Sequence, residues 1–294
     1  MGYKGLNSTK NLILFFTAAL LWTWTAGFLP VLFNLTGTPP GTFIFYFGGG
    51  APSAAALILV FATYPKAAVQ EYFARCFSPK RAGIRGFLFP VVFFSCIAII
   101  SVTVSVYVFH LEMPRMAWIH AVIANPAVIF VILPLSFVSG PLNEEFGWRG
   151  YALDRLFFRF GFLPASFILG LIWTAWHLPW FFTPGQAQYQ MLHSSLWEAL
   201  LYVLFNVLLS VVVSFVYIIA NRSILAGAFT HMMSNFLTSQ LLAPLSSGVR
   251  SVIFGVTSLF CLGVMVFILA SRRFKEQWST QEQHIKTEMG YFSN

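Results

Sequence analysis

Charged residues are scarce in this sequence. They make up 9% of the 294 positions, and Asp and Glu together number nine, whereas hydrophobic residues account for 58%. A water-soluble domain needs more charge than this to cover its surface, so the composition excludes one and indicates an integral membrane protein. We find no separate polar domain, and residues 1–294 are predicted to form one membrane domain.

Cysteine is also rare. Cys76, Cys96 and Cys261 are far apart, which excludes a disulfide framework and a paired-cysteine metal site. The HExxH pattern of many zinc proteases is absent. We find no inverted repeat, the feature that a transporter with broken helices is expected to show.

Long apolar segments are what the sequence does contain. Each is long enough to cross a bilayer as a helix of about 20 residues. The first is interpreted as a retained span, because its apolar stretch is too long for a signal peptide. The eight segments cover about 11–33, 42–64, 87–109, 119–141 (extending to about 150), 164–183, 197–220, 224–243 and 251–271.

The basic residues predict an orientation for these spans. With eight spans and both termini in the cytoplasm, Lys and Arg residues from Lys4 to Lys286 fall on the cytoplasmic side, and only Arg115 and Arg250 fall outside. We therefore predict an all-α polytopic membrane protein of about eight transmembrane helices with cytoplasmic termini. The net charge of +8 suits an anionic cytoplasmic leaflet, so the bilayer and not nucleic acid is the predicted partner.

Two polar stretches lie outside the predicted spans. Residues 66–85 are interpreted either as a short amphipathic helix on the membrane surface or as a solvated connection. The tail from about residue 275 is polar and is predicted to be loosely ordered. Neither stretch carries a predicted functional residue.

The segment 141–159 carries acidic residues next to a long apolar run. Charged groups at bilayer depth are costly and usually mark a functional site. Glu145 and Arg149 are four residues apart, so they can form an ion pair on one helix face. Glu144 points about 100° away from Glu145 and is free for another task.

Further polar residues fall within three later spans. His177 lies in the fifth, and His231 and Asn235 share one face of the seventh. They reach the depth of Glu144 only if the fourth helix continues to about Gly150. Other polar residues in the spans are interpreted as helix-packing residues, namely Asn125, Glu198 and Asn206.

These side chains are suited to two kinds of chemistry. A carboxylate beside an imidazole can activate water, while a second imidazole and an amide can stabilise an oxyanion. Alternatively, Glu144, His177 and His231 could hold a catalytic zinc ion. The spacing of the residues does not choose between these mechanisms.

Three short motifs resemble those of a known family. EEFGWR at 144–149, WTAWH at 173–177 and HMMSN at 231–235 resemble the EExxxR, FxxxH and HxxxN motifs of the CAAX protease and bacteriocin-processing family, also called Abi or CPBP proteins. Trp173 stands where the family usually has Phe, and is interpreted as a variation in the wall of the site. The resemblance implies a catalytic core at about 119–243.

The resemblance implies an intramembrane endopeptidase that acts on a membrane-associated, CAAX-like peptide or protein. Glu144 would be the general base, His177 would orient the water, and His231 with Asn235 would form the oxyanion site. Glu145 and Arg149 would support them. No cofactor is required in the favoured mechanism, and zinc is the alternative. The implied location is a prokaryotic plasma membrane, with the site opening to the cytoplasm.

Two functions from other classes fit the same composition. A non-catalytic bacteriocin-immunity or scaffold protein would bind a membrane partner without needing Glu144. A small transporter would use the intramembrane charges to bind an ion, but this function predicts the repeats that the sequence lacks.

Overall fold

The computed structural model describes residues 8–289, in which every regular element is helical. Lys4, which contributes to the charge asymmetry, lies outside the described residues. The all-α class is confirmed for this part of the chain. The α-helices are α1 (Thr9–Leu32), α2 (Pro39–Gly49), α3 (Ala51–Thr63), α4 (Lys66–Phe77), α5 (Pro79–Thr103), α6 (Ala117–Ala124), α7 (Ile129–Val138), α8 (Pro141–Glu145), α9 (Leu153–Phe160), α10 (Phe162–Trp176), α11 (Ala187–Ser194), α12 (Leu196–Ile219), α13 (Ile224–Asn235), α14 (Ser247–Ala270) and α15 (Arg272–Glu288).

Shorter helical turns continue several of these helices. The 3₁₀ turns are Pro126–Val128 and Leu178–Phe181, and the π-helical stretches are Val104–Val108, Phe146–Ala152 and Phe236–Gln240. Serine side chains fix some helix starts. The hydroxyl of Ser78 accepts from the N–H of Arg81, and that of Ser223 accepts from the N–H of Ala226. These contacts satisfy N–H groups that have no partner within the helix.

The number of spans is only partly established. Five helical segments are long and apolar enough to cross a membrane, or six if α2 and α3, bent by 51°, count as one span. All eight predicted segments contain helix, but α10 has 15 residues and is about 22 Å long, short of a bilayer core of about 30 Å. The count of eight and the cytoplasmic termini therefore stay predictions.

Helix α12 forms the centre of the bundle. It packs against α10, α13 and α14, and its second half is buried on all sides. A helix that is apolar all round is stable where protein surrounds it. The outer helices instead expose large apolar side chains suited to contact lipid, among them Phe43, Phe61, Tyr107 and Phe130. The fold thus holds the inward-facing residues of α8, α10 and α13 around α12.

The fourth predicted span differs at its start. The sequence predicts a start at about 119, but α6 ends at Ala124, and a new helical path runs from Pro126 to Phe160. Asn125 is extended, as expected before proline, and its side chain accepts from the N–H of Ala127. The predicted continuation to about Gly150 is confirmed, although Ser139 and Gly140 interrupt the path.

Residues 66–85 do not form one surface helix. Helix α4 ends at Phe77, and the following helix is kinked at Gly83, whose φ is +60°. Tyr72, Arg75 and Cys76 on α4 are buried against protein. The predicted helix is therefore present as α4, but its buried face packs against the bundle and not on a lipid surface.

The prediction of a loosely ordered tail is wrong. Helix α15 continues to Glu288, and Phe274 and Ile285 on it are buried. The Trp278 ring lies 4.9 Å from that of Phe157 in an edge-to-face contact. Sequence polarity missed this helix because a few apolar residues at helical spacing are enough to dock an otherwise charged helix.

Candidate active site

The acidic motif lies where α8 changes into a π-helical stretch. The carbonyl of Phe146 accepts a hydrogen bond from the Tyr72 hydroxyl, at 2.7 Å. A Cβ atom on Gly147 would lie 2.5 Å from the carbonyl oxygen of Pro52, so only glycine allows α3 to approach this closely. The close contact places the motif in the protein interior, and both carboxylates are buried.

Glu145 forms a fully buried ion pair, as its spacing predicts. Its Oε1 lies 2.9 Å from Nη1 of Arg149, and both side chains have zero exposure. The same oxygen lies 2.9 Å from Nδ1 of His231 on α13. Nη2 of Arg149 also reaches Ser210 on α12, at 3.4 Å. Glu145 therefore joins α8 to α13 and does not face the open space of the site.

Glu144 has different partners, as the 100° offset predicts. Its Oε2 accepts a hydrogen bond of 2.6 Å from the indole N–H of Trp173 on α10. A Cβ atom on Gly140 would lie 3.3 Å from Oε1 of Glu144 and 3.8 Å from Nδ2 of Asn235. The carboxylate and the amide therefore approach the same small space beside Gly140.

Trp173 is more than a wall residue. A phenylalanine, the usual residue in the resembled motif, has no N–H and could not bond Glu144. The guanidinium of Arg149 lies 4.8 Å from the centroid of the Trp173 ring, and the His231 ring lies 4.9 Å away, edge to face. The indole thus contacts three residues of the site. From the sequence motif alone, Trp173 could be interpreted only as an aromatic replacement for the usual Phe.

Each histidine is held through Nδ1. In His177 this atom lies 2.9 Å from the carbonyl oxygen of Trp173, and in His231 it faces Glu145. Carbonyl and carboxylate oxygens only accept, so both Nδ1 atoms carry the proton. In a neutral ring Nε2 is then unprotonated and can accept a proton or a hydrogen bond.

The four predicted catalytic residues line one cavity of about 230 Å³. They are Glu144, His177, His231 and Asn235, and Trp173 completes the wall beside them. Glu145 and Arg149 do not line it. Residues from four helical segments, α8, α10, α13 and α12, therefore meet at one open space within the membrane bundle.

The structure adds residues that the sequence did not single out. Tyr202 and Asn206 on α12 line the cavity. The Tyr202 hydroxyl accepts from Gln188 at 3.1 Å, and the Asn206 amide donates to Thr174 at 3.0 Å. The sequence predicts Asn206 as a packing residue, and this contact with α10 agrees. The sequence shows Asn206 only as an amide residue in an apolar helix, and nothing in it indicates that Asn206 lines the cavity.

Comparison with known proteins finds a family model that matches the part of the chain carrying the predicted catalytic residues. The family model for type II CAAX prenyl endopeptidase Rce1-like proteins matches residues 125–237, which contain all three motifs. Over this segment, the chain is similar to the type II CAAX prenyl endopeptidase family. The chain is also 28% identical, over 152 residues, to CAAX prenyl protease 2 of Methanococcus maripaludis. That match covers 52% of each protein, so the chain spans about half the length of this curated relative.

The sequence leaves zinc as the alternative at Glu144, His177 and His231, which line the cavity together. Anchored Nδ1 atoms are common in zinc-binding histidines, and His177 and His231 share that feature. However, no three His, Cys, Asp or Glu side chains among residues 8–289 are close enough together to hold a metal ion. In this arrangement, Oε2 of Glu144 accepts a hydrogen bond from the indole of Trp173.

The cavity lies at one end of α12. Tyr202 and Asn206 on its first half line the cavity, whereas Tyr217 near its other end donates to Asp154 at 2.9 Å. Ala187 and Arg250 also border the cavity. The charge pattern places both of these residues outside the cytoplasm. The predicted cytoplasmic opening and the predicted orientation of the spans therefore point to opposite sides of the membrane.

Proposed function

We propose that this chain is an intramembrane endopeptidase that cleaves a peptide bond near the C-terminus of a membrane-associated, CAAX-like substrate. The observation that carries the proposal is the shared cavity of Glu144, His177, His231 and Asn235. Desolvating four polar groups around one open space is a costly way to pack helices, and hydrolysis gives each a task. The match to a CAAX protease family model supports the same activity.

Glu144 acts as the general base. Its Oε2 is bound by Trp173, which leaves Oε1 to take a proton from water. The unprotonated Nε2 of a neutral His177 accepts a second hydrogen bond from that water and orients it. The water oxygen attacks the scissile carbonyl carbon, and the proton held by Glu144 passes to the leaving amine.

Asn235 stabilises the oxyanion. Its amide donates a hydrogen bond whatever the protonation state of the site. His231 could donate from Nε2 only as a doubly protonated ring, because Nδ1 already donates to Glu145. We therefore assign the larger share of oxyanion stabilisation to Asn235. Glu145 holds His231 in place by accepting from its Nδ1, and Arg149 in turn holds Glu145 through the buried ion pair.

The test uses purified full-length protein and a fluorogenic farnesylated CAAX peptide. Untreated protein is run beside chelator-treated protein and the Glu144→Gln variant. Cleavage that survives the chelator and disappears in the variant supports the glutamate mechanism. Activity lost with chelator and restored by zinc would contradict the metal-free roles of Glu144 and His177. Absence of cleavage with prenylated and unprenylated peptides alike would favour the non-catalytic immunity or scaffold role.

Replacing Asn235 with alanine is expected to lower kcat by about 10²–10³-fold, the usual effect of losing one oxyanion donor. KM should change little, because the oxyanion exists only in the transition state. The control is Asn206→Ala, which removes another amide from the same wall, one that bonds Thr174. Equal losses in the two variants would contradict the assigned role of Asn235.

Replacing Trp173 with phenylalanine is expected to lower kcat by about tenfold, because a hydrogen bond to a charged group is lost while the aromatic wall is kept. The matched control is Trp24→Phe, which removes an indole N–H that donates to the carbonyl of Ala175. Both variants are compared by steady-state kinetics. If Trp173→Phe keeps the full kcat, the indole N–H has no role in positioning Glu144.

The side of the cavity mouth can be measured by thiol labelling. Ala187 is exposed and borders the cavity, and Cys96 is the exposed native cysteine. In a Cys96→Ser background, Ala187→Cys is expected to react with a membrane-impermeant maleimide in intact cells, as the charge pattern requires. Labelling only after the cells are opened would place the mouth in the cytoplasm and reverse the predicted orientation.

A further inference from the structure

Arg250 is the only lysine or arginine among the described residues that line the catalytic cavity. It lies in the first turn of α14, and its side chain is 15% exposed. Glu144 is the only acid in the same set of lining residues. The hydrolysis proposed above uses Glu144 but gives Arg250 no task. Because an ionisable residue in a membrane-spanning helix usually marks a functional site, Arg250 needs a role of its own.

Two contacts hold the guanidinium of Arg250 in place. Its Nε donates to Oε1 of Glu198 on α12, and its Nη1 donates to the carbonyl of Leu245 at 2.9 Å. The other oxygen of Glu198 accepts from the hydroxyl of Ser247, and the Glu198 side chain has zero exposure. Both oxygens of Glu198 are therefore occupied, and this acid joins α12 to α14 as the packing residue that the sequence predicts.

The third nitrogen of this guanidinium is left for a ligand. Nη2 of Arg250 donates to no group among residues 8–289. Unlike Nε of Arg149 and of Arg155, which are fully buried and unpaired, it keeps accessible surface. A guanidinium already held through two nitrogens loses little side-chain freedom when the third one binds. Arg250 therefore offers an ordered cationic donor that a ligand in the cavity can reach.

The surroundings of Nη2 favour a negative group. Glu198 balances the formal charge of Arg250, but helix α14 begins nearby at Ser247 and has 24 residues. The N-terminus of such a helix carries about half a positive elementary charge. A helix N-terminus and a guanidinium donor side by side are suited to an anionic oxygen. Glu144, the acid that lines the cavity, lies on another helix and is bound by Trp173.

The position of Arg250 along the cavity fits a short peptide. The Tyr202 ring lies 5.9 Å from the His177 ring and 5.7 Å from the Phe254 ring. Phe254 and Arg250 are four residues apart on α14, so they are neighbours on one face, about 5–6 Å apart. Two ring contacts and one helical turn thus separate His177 from Arg250. An extended peptide of three to five residues spans a similar length, about 10–18 Å.

The cavity wall that includes Arg250 is otherwise largely apolar. Met191, Phe205, Ile253 and Phe254 line it, and the rings of Phe205 and Phe254 lie 5.1 Å apart. These side chains suit apolar residues of a bound peptide. They offer no partner to a charged group at the end of that peptide, whereas Arg250 does.

We propose that Nη2 of Arg250 binds the C-terminal carboxylate of the peptide substrate. The inference rests on the proposed protease function and adds the group that recognises the end of the chain. Hydrogen bonds between a guanidinium and a carboxylate are charge-assisted and stronger than neutral ones. With the scissile bond beside His177 and the carboxylate on Arg250, cleavage falls a few residues before a free C-terminus. Arg250 is thus a residue that determines specificity and takes no part in the bond cleavage.

The test compares two labelled farnesylated CAAX peptides that differ only at the C-terminus, which is a free acid in one and a carboxamide in the other. Their Kd values are measured by fluorescence anisotropy on the full-length Glu144→Gln variant, so that cleavage does not consume the peptide. In this background Arg250→Gln removes the proposed donor. The control is Arg115→Gln, which removes an exposed arginine that does not line the cavity.

We expect the acid to bind about tenfold or more tightly than the amide, the value of a hydrogen bond between charged groups. Arg250→Gln should weaken binding of the acid to the level of the amide and leave the amide unchanged. Arg115→Gln should keep the full preference. Removing Arg250 alone leaves the buried Glu198 charge unpaired, so Glu198→Gln combined with Arg250→Gln decides the question if the single change does not fold.

Cleavage by the native chain gives a second readout. The amide should be cleaved with kcat/KM lowered by about the same tenfold factor. The loss should lie mainly in KM, because the carboxylate is remote from the reacting bond and is bound equally in the ground state and the transition state. A purely structural role of Arg250 would change both peptides alike.

The proposal is overturned if the acid and the amide bind equally well, or if neither binds. It is also overturned if the folded Arg250 variants keep the preference for the acid, or if Arg115→Gln loses it to the same extent. Preference for the acid without any cleavage by the native chain would support the carboxylate site and contradict the protease function. Cleavage of both peptides with equal kcat/KM would do the reverse, so the two proposals can fail separately.

Discussion

Replacing Glu144 with glutamine is expected to reduce kcat/KM for a CAAX-like peptide by about 10²–10⁴-fold, the usual contribution of a general base. Glutamine has the same size and can still accept the 2.6 Å hydrogen bond from Trp173 through its amide oxygen. It cannot take a proton from water near neutral pH. The loss would therefore report the missing base and not a rearranged wall.

Folding of the Glu144→Gln variant is checked by its melting temperature. Glu144 is buried and takes part in no ion pair closer than 4 Å among the described residues, so the neutral amide should leave the melting temperature close to that of the native chain. A second control is Glu112→Gln, which changes an exposed acid. Full activity in a folded Glu144→Gln variant would exclude Glu144 as the base.

Replacing Glu145 with alanine is expected to cost about 3–5 kcal/mol of unfolding free energy, because one partner of a buried ion pair is removed. The change leaves the fully buried Arg149 charge without a carboxylate, and leaves Nδ1 of His231 without its acceptor. The measurement is denaturant or thermal unfolding in detergent. Activity should fall as well, because His231 is no longer held against α8.

The chain offers a matched control for this experiment. Arg272 and Glu276 on α15 also form an ion pair four residues apart, but their side chains are 93% and 66% exposed. Glu276→Ala should cost roughly 0–1 kcal/mol, because water screens an exposed pair. Equal losses of unfolding free energy in the Glu145→Ala and Glu276→Ala variants would contradict the prediction that burial strengthens the Glu145–Arg149 ion pair.

Several features of this protein follow from the sequence alone. Composition determined the membrane class, because a chain with 9% charged residues cannot cover a water-exposed surface. Helical spacing determined the Glu145–Arg149 pair and the shared face of His231 and Asn235, because residues four apart are neighbours on any helix. The continuation of the fourth helix to about Gly150 followed from requiring that groups on different helices reach a common depth. The ion pair and the shared face depend only on local helix geometry.

Other predictions failed because they needed more than local geometry. The polarity of the tail suggested disorder, yet Phe274 and Trp278 dock α15 onto aromatic residues of α9, α10 and α12. Composition averages over a segment and cannot show that a few apolar side chains share one face that meets a partner. The charge pattern treats Arg155 as a cytoplasmic charge, and only the packing of α4, α9 and α15 shows that it is buried.

The tertiary structure alone decided which groups touch inside the site. Trp173 and Glu144 are 29 positions apart, and His231 and Glu145 are 86 apart, so no local pattern predicts the donors and acceptors that meet. Side-chain rotamers in a packed interior depend on neighbours from several helices at once. The sequence determined which residues could perform the chemistry. The packing of α8, α10 and α13 around α12 determined that Glu144 faces the cavity with Trp173 beside it, because only a packed bundle brings these distant helices together.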